Sequence, residues 1–191
     1  MLHDGNGWAA GPAGIRCWGR HGAAGLLVST PDGRVLMQHR AEWTSMPLTW
    51  GVPGGARDSH ETPAEAALRE AREETGLTAE QVRVVATEVT AGPYPADPER
   101  PELAGGWTYT TVFALADHAL ETEPNAESLE LAWVPLDDVE DLDLLPAFRD
   151  SWRGVRRRLE GLLAAETQHP GAAGPGRVAR GAAARSSSRR R

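Results

Sequence analysis

The chain has 191 residues, 40% of them hydrophobic, and a net charge of −7, which suits one domain with a proper core and some residues to spare. No apolar run reaches the roughly 18 residues of a membrane span, and no basic start leads into an apolar stretch, so neither a membrane protein nor a signal peptide is expected. Cys17 is the single cysteine, so an internal disulfide is excluded and a reducing, cytoplasmic setting is expected; without a local activating pattern it reads as a bystander.

All 20 basic residues are Arg, a usage bias of GC-rich bacterial genomes. Residues 166–191 carry six Arg and one Glu, whereas residues 1–165 carry 26 acidic residues against 14 Arg. An acidic body argues against broad nucleic-acid binding by the folded part.

Residues 1–20 are rich in Gly and Trp without periodicity and read as an irregular N-terminal arm. The main domain is expected over 21–165. Ala23–Thr30 is a predicted strand, Pro31–Arg34 a turn and Val35–Arg40 a second strand. A loop with Trp43 leads to Trp50–Gly55, whose Gly and Pro let the backbone turn sharply and approach a ligand closely. Thr62-Pro63-Ala64-Glu65 is a helix start: Thr62 as N-cap, Pro63 at the first helical position and Glu65 closing a capping box. Gly76 stands where a left-handed C-cap is wanted. Ala64, Ala67, Leu68 and Ala71 recur at helical spacing and form the apolar face.

Val82–Thr90 is a further strand. Ala91–Gly106 contains Pro93, Pro95, Pro98 and Pro101, which forbid a helix or a central strand; so long a loop in a compact domain is more often functional than idle. Trp107–Ala116 and Leu129–Val134 are strands. Pro146–Ala165 is an amphipathic helix with Phe148, Trp152, Val155, Leu159 and Leu162 on one face. Residues 166–191 read as a disordered, Arg-rich tail.

Glu70, Glu73 and Glu74 lie three and four apart on the predicted helix. Like charges at that spacing cost about 0.2–0.5 kcal/mol per pair, and Arg69 and Arg72 offset only part of it. A hard divalent cation with oxygen ligands is the natural neutraliser. A glutamate stripe alone is usually a solvated face; the Gly-rich loop directly before the helix is what turns the stripe into a candidate site.

Gly55, Glu61, Arg69, Glu70, Glu73, Glu74 and Gly76 also fill every fixed position of the Nudix box, so the segment Gly55–Leu77 resembles that of the Nudix (MutT-like) hydrolases. Outside the box the similarity covers roughly Gly22–Leu163. The resemblance implies an α/β sandwich in which a mixed sheet lies between helices. It implies hydrolysis of a nucleoside diphosphate linked to a further moiety, with Mg²⁺ or Mn²⁺. It makes Glu70, Glu73 and Glu74 metal ligands, with the Gly54 carbonyl completing the set. Arg69 would orient a box carboxylate, and Glu61 would be structural. The general base is a box glutamate or one from a later loop, where Glu127 is preferred over Glu130. Ala71 departs mildly from the pattern, which favours Leu, Ile or Val there.

Substrate markers conflict. Pro93 resembles the ADP-ribose type and Tyr94 the dinucleoside polyphosphate type, while the surrounding context looks more like members that cleave nucleoside triphosphates. Trp50, Tyr94 and Arg40 are the candidate substrate contacts, with Trp43 and Trp107 as further rings that could stack on a base; His39 and His60 flank the site as structural or solvated groups. The expected partner is a small nucleotide, and a homodimer is left open. A Nudix-fold sensor without turnover is the alternative class, but such modules usually lose box glutamates. An isomerase of the isopentenyl diphosphate type would need a cysteine placed elsewhere than Cys17.

Overall fold

The computed structural model describes residues 3–168. The expected tail therefore lies almost wholly outside the described residues. Strands β1 (Trp8–Ala10) and β2 (Arg16–Trp18) form a two-stranded antiparallel sheet. The rest follows as β3 (Ala23–Ser29), β4 (Arg34–Arg40), β5 (Trp50–Gly51), β6 (Gly54–Ala56), α1 (Pro63–Thr75), β7 (Arg83–Tyr94), β8 (Trp107–Leu115), β9 (Ser128–Pro135) and α2 (Pro146–Gln168). The main sheet runs β5-β4-β3-β8-β7, with β6 also paired to β3 and β9 to β4. β3 and β8 are parallel and the other pairs antiparallel, so the sheet is mixed, as expected.

β3 is buried along its whole length, because each of its faces meets a helix. Leu26 and Val28 join Leu36, Val112 and the alanines of α1. Leu27 points the other way, into a second cluster with Met37, Phe113 and the Phe148, Trp152, Val155 and Leu159 face of α2. Period 2 in the strand and period 3.6 in the helices serve two cores at once.

Three expectations need correction. The irregular arm is a hairpin at residues 8–18: Ala9 and Ala10 are buried, and the Ala10 amide donates to the Ala104 carbonyl at 2.9 Å. Partners this far apart in sequence leave no local periodicity. β7 runs on through Pro93 to Tyr94, pairing Tyr94 with Trp107 across register shifts. It is the last strand of the sheet, and an edge strand tolerates proline where a central one does not. α2 continues to Gln168, so Glu166 is helical, and it forms a 2.6 Å ion pair with Arg83. Among the described residues no helix is long and apolar enough to cross a membrane.

Candidate active site

The site forms where β6 hands the chain to α1. β6 lies antiparallel to β3, with Ala24 opposite Gly55 and Gly25 opposite Gly54, which pins the Gly-rich loop to the centre of the sheet. α1 then starts with both halves of the expected capping box: the Glu65 amide donates to Thr62 Oγ1 at 3.2 Å and the Thr62 amide to Glu65 Oε2 at 2.8 Å. It ends on Gly76 in the left-handed conformation, φ 75°, which costs glycine little. Gly55 has a different reason to be glycine. A Cβ there would lie 2.5–2.7 Å from the Glu70 carboxylate, so that carboxylate sits directly over the backbone.

Arg69 organises the acidic residues. Its Nε donates to Glu61 Oε1 at 2.7 Å and its Nη2 to Glu61 Oε2 at 2.9 Å, a bidentate fork. Nη1 donates to Glu70 Oε1 at 2.8 Å and Nη2 also to the Ala56 carbonyl at 3.0 Å. Charge-assisted bonds of this kind are among the strongest polar contacts. They hold the Glu61 carboxyl below its ordinary range, chiefly through the Arg69 bonds, and raise the Arg69 guanidinium above its own. Arg69 thus bonds to both Glu61 and Glu70 at once.

Glu70, Glu73 and Glu74 do not share one environment. Glu73 is exposed, Glu70 half-buried and Glu74 only 3% exposed, so they grade from solvent into the protein. Burial raises the Glu70 carboxyl, against the pull of Arg69. For Glu74 burial is the main cause of a pKa pushed up to about 8. The charges of Glu70 and Glu127 add to the rise, and a 2.8 Å hydrogen bond from the Gly54 amide opposes it. Buried carboxylates compensated this thinly fit a divalent cation, whose oxygen-ligand chemistry supplies the missing positive charge.

Glu127 arrives from the far end of the sequence. The Glu123 amide donates to the Thr75 carbonyl at 2.9 Å and the Asn125 amide to that of Glu74 at 3.3 Å, so the loop before β9 caps the end of α1. The Glu127 carbonyl accepts from Ala41 at 2.8 Å, and its side chain is exposed. Glu130 instead lies in β9 opposite His39.

The candidate substrate contacts are spread more widely. Trp50 stacks on His39 at 4.6 Å, so one ring face is taken. Tyr94 stacks on Trp107 at 5.9 Å, and the Trp107 indole donates to the Trp18 carbonyl of the hairpin at 3.0 Å. Arg40 Nε donates to the Ser45 carbonyl at 3.1 Å. Trp43 is 66% exposed, and its indole donates to the Ala126 carbonyl at 3.0 Å, next to Glu127. Burial raises the thiol pKa of Cys17.

Sequence reasoning missed Gln38. It is 1% exposed, donates from Nε2 to Ser128 Oγ at 2.8 Å, and helps to hold Glu74 charged. Its Oε1 has no partner among the described residues. A polar residue following the buried run Val35-Leu36-Met37 was the available signal.

A family model described as NUDIX domain matches residues 19–155. A Mycobacterium tuberculosis protein with the provisional name 8-oxo-dGTP diphosphatase 3 is 52% identical over 80% of this chain and 70% of its own length. A Bifidobacterium longum nucleoside triphosphate pyrophosphatase/Nudix hydrolase fusion protein is 40% identical over 85% of this chain and 33% of that one. Among solved structures, a Nudix hydrolase from M. smegmatis, RenU, superposes with a TM-score of 0.70 at 49% identity, covering 84% of this chain and 96% of that one.

Proposed function

This chain belongs to the Nudix hydrolase family, and from that premise we propose that it is a Mg²⁺-dependent pyrophosphohydrolase of nucleoside triphosphates or close nucleotide derivatives. The observation that carries the reading is the graded carboxylate cluster, with Glu70 laid over Gly55 and tethered by Arg69 while Glu74 is desolvated against Gly54. The similarity to the M. tuberculosis protein favours a triphosphate, and 8-oxo-dGTP is the first compound to test.

In this reading Glu70, Glu73, Glu74 and the Gly54 carbonyl hold the cation. Mg²⁺ bound there would supply charge neutralisation at the polyphosphate and a lowered pKa for a bound water. The protein must then place a base for that water's proton. Glu127 is the proposed base, since it is exposed and its charge is felt by both Glu70 and Glu74; a proton acceptor has to be accessible and close to the phosphates. Arg69 fixes Glu70 so that no reorganisation is needed on the way to the transition state. Arg40 and Tyr94 remain proposed substrate contacts. Trp43 replaces Trp50 as the ring offered to a base, because Trp50 is already stacked on His39.

The hairpin is proposed to belong to the functional unit, since Trp107 and Ala104 bond to it. Residues 95–106 are proposed to set substrate choice. Shortening Pro95–Glu102 is expected to change relative kcat/KM among substrates with metal affinity intact; an unaltered ranking in a folded variant would reduce the loop to a connector. The main test is phosphate or pyrophosphate release from nucleoside triphosphates, 8-oxo-dGTP, ADP-ribose and dinucleoside polyphosphates, with Mg²⁺ and with EDTA. Mg²⁺-dependent turnover highest on a triphosphate is expected. Turnover unaffected by EDTA would sink the metal assignment, and a preference for ADP-ribose or dinucleoside polyphosphates would sink the substrate.

A further inference from the structure

A second group of ligand-type side chains lies apart from the box carboxylates, where the N-terminal segment crosses the loop between β6 and α1. Ligand atoms of Asp4, Asp58 and His60 lie within 4.8 Å of one another. His21 Nε2 is 3.9 Å from Asp4 Oδ2, and His3 Nδ1 is 3.6 Å from Asp58 Oδ2. Three of the chain's six histidines thus converge on two aspartates from three separate segments.

Asp58 is the informative member. It is 5% exposed. Its Oδ1 accepts from the Gly5 amide at 2.7 Å, and its Oδ2 faces the His3 ring, 3.6 Å from Nδ1. Two carboxylates whose oxygens lie within 4.8 Å of each other favour a cation between them. Gly5 shows how tightly the segment is pressed down: a Cβ there would meet the Arg57 carbonyl oxygen at 2.4 Å.

We propose that His21, His60, Asp4 and Asp58, with His3 alongside, form a site for a Zn²⁺-type transition-metal ion that pins the N-terminal segment to the box loop. Mixed imidazole and carboxylate donors suit Zn²⁺ and its neighbours, whereas the all-oxygen box suits Mg²⁺. Four donors about 2.0–2.1 Å from an ion are ~3.3 Å apart. The exposed His60 ring and the half-buried His21 ring reach that by side-chain rotation, while Asp58 stays fixed. The ion would stabilise the entry to the hairpin, which touches residues 95–106. This inference is independent of the hydrolase reading.

The test uses the full chain, a His21→Gln/His60→Gln variant and a Glu73→Gln/Glu74→Gln variant. The first variant keeps both aspartates and their backbone hydrogen bonds. Co²⁺ is the spectroscopic probe and Zn²⁺ the probe of stability. Wild type and the glutamate variant are expected to take up Co²⁺ with the visible absorption of a tetrahedral centre, and Zn²⁺ to raise their Tm. The histidine variant should keep its metal-free Tm and its Mg²⁺-dependent hydrolysis but bind Co²⁺ at least tenfold more weakly and lose the Zn²⁺ effect. The site is overturned if Co²⁺ binding follows the glutamates instead, if the histidine variant binds as well as wild type, or if wild type binds no Co²⁺ at micromolar concentration.

Discussion

Replacing Glu74 by Gln is expected to lower kcat at least tenfold while making the metal-free protein more stable above pH 8. Both effects come from the same burial. Glu74 titrates near 8 in the fold and near about 4.3 when unfolded. Below the lower value both states hold the proton and nothing is lost. Between the two the folded state keeps a proton that the unfolded chain has released, so stability falls as pH rises and levels off above about 8. The full penalty is on the order of 3–5 kcal/mol as an upper bound. An amide needs no ionisation, and its oxygen can still accept from the Gly54 amide, so the variant should show a flatter profile. Turnover suffers because a ligand charge is gone, a loss typically worth several kcal/mol of transition-state stabilisation. Glu73→Gln separates the two effects: that side chain is exposed, so turnover should drop at least tenfold with no gain in stability. Urea unfolding in EDTA at pH 5.5 and 8.5, with steady-state kinetics in Mg²⁺, reads both. A wild-type stability equal at the two pH values would contradict the desolvation of Glu74; near-full turnover of either variant at saturating Mg²⁺ would contradict the metal assignment.

Arg69→Met should be the most destabilising single change in the box. It strips the fork from Glu61 and the tether from Glu70, whose side chains are 10% and 18% exposed. Unpaired carboxylates in that setting cost about 2–4 kcal/mol, somewhat below the figure for fully buried pairs. The Glu61 carboxyl is held below its unfolded pKa by Arg69. Its contribution is therefore present above about pH 4.3 and lost as the pH falls through the lower folded value, so the deficit of the variant should narrow in acid. Arg69→Lys should recover little, because an ammonium cannot bind two carboxylates and a carbonyl in one planar array. Chemical denaturation from pH 7 to pH 3.5 measures this. A deficit under about 0.5 kcal/mol at pH 7, the size of an exposed pair, would mean that the cluster is solvated.

Much of this molecule is legible along the chain because the physics involved is local. The capping box spans the four residues Thr62–Glu65, and the C-cap is set by one glycine. The carboxylates at 70, 73 and 74 share a helix through covalent spacing alone. Alternation placed most of the strands, and the box pattern identified the family. What the sequence left undecided depends on partners far away along the chain. The spacing of Glu73 and Glu74 says nothing of which one turns toward the sheet; the Gly54 amide, 20 residues away, meets Glu74 and leaves Glu73 in solvent. Gln38 is recognisable only once Ser128, 90 residues on, is beside it. Pro93 can end a strand because β7 is at the edge, a fact of strand order and not of composition. The arm at 8–18 becomes a hairpin against residue 104, and the amide of Gly5 reaches Asp58 across 53 residues. Helical periodicity and capping act within a turn, so a reader of the sequence can see them; burial and charge compensation are set by whatever the fold brings opposite, and only the tertiary structure decides that.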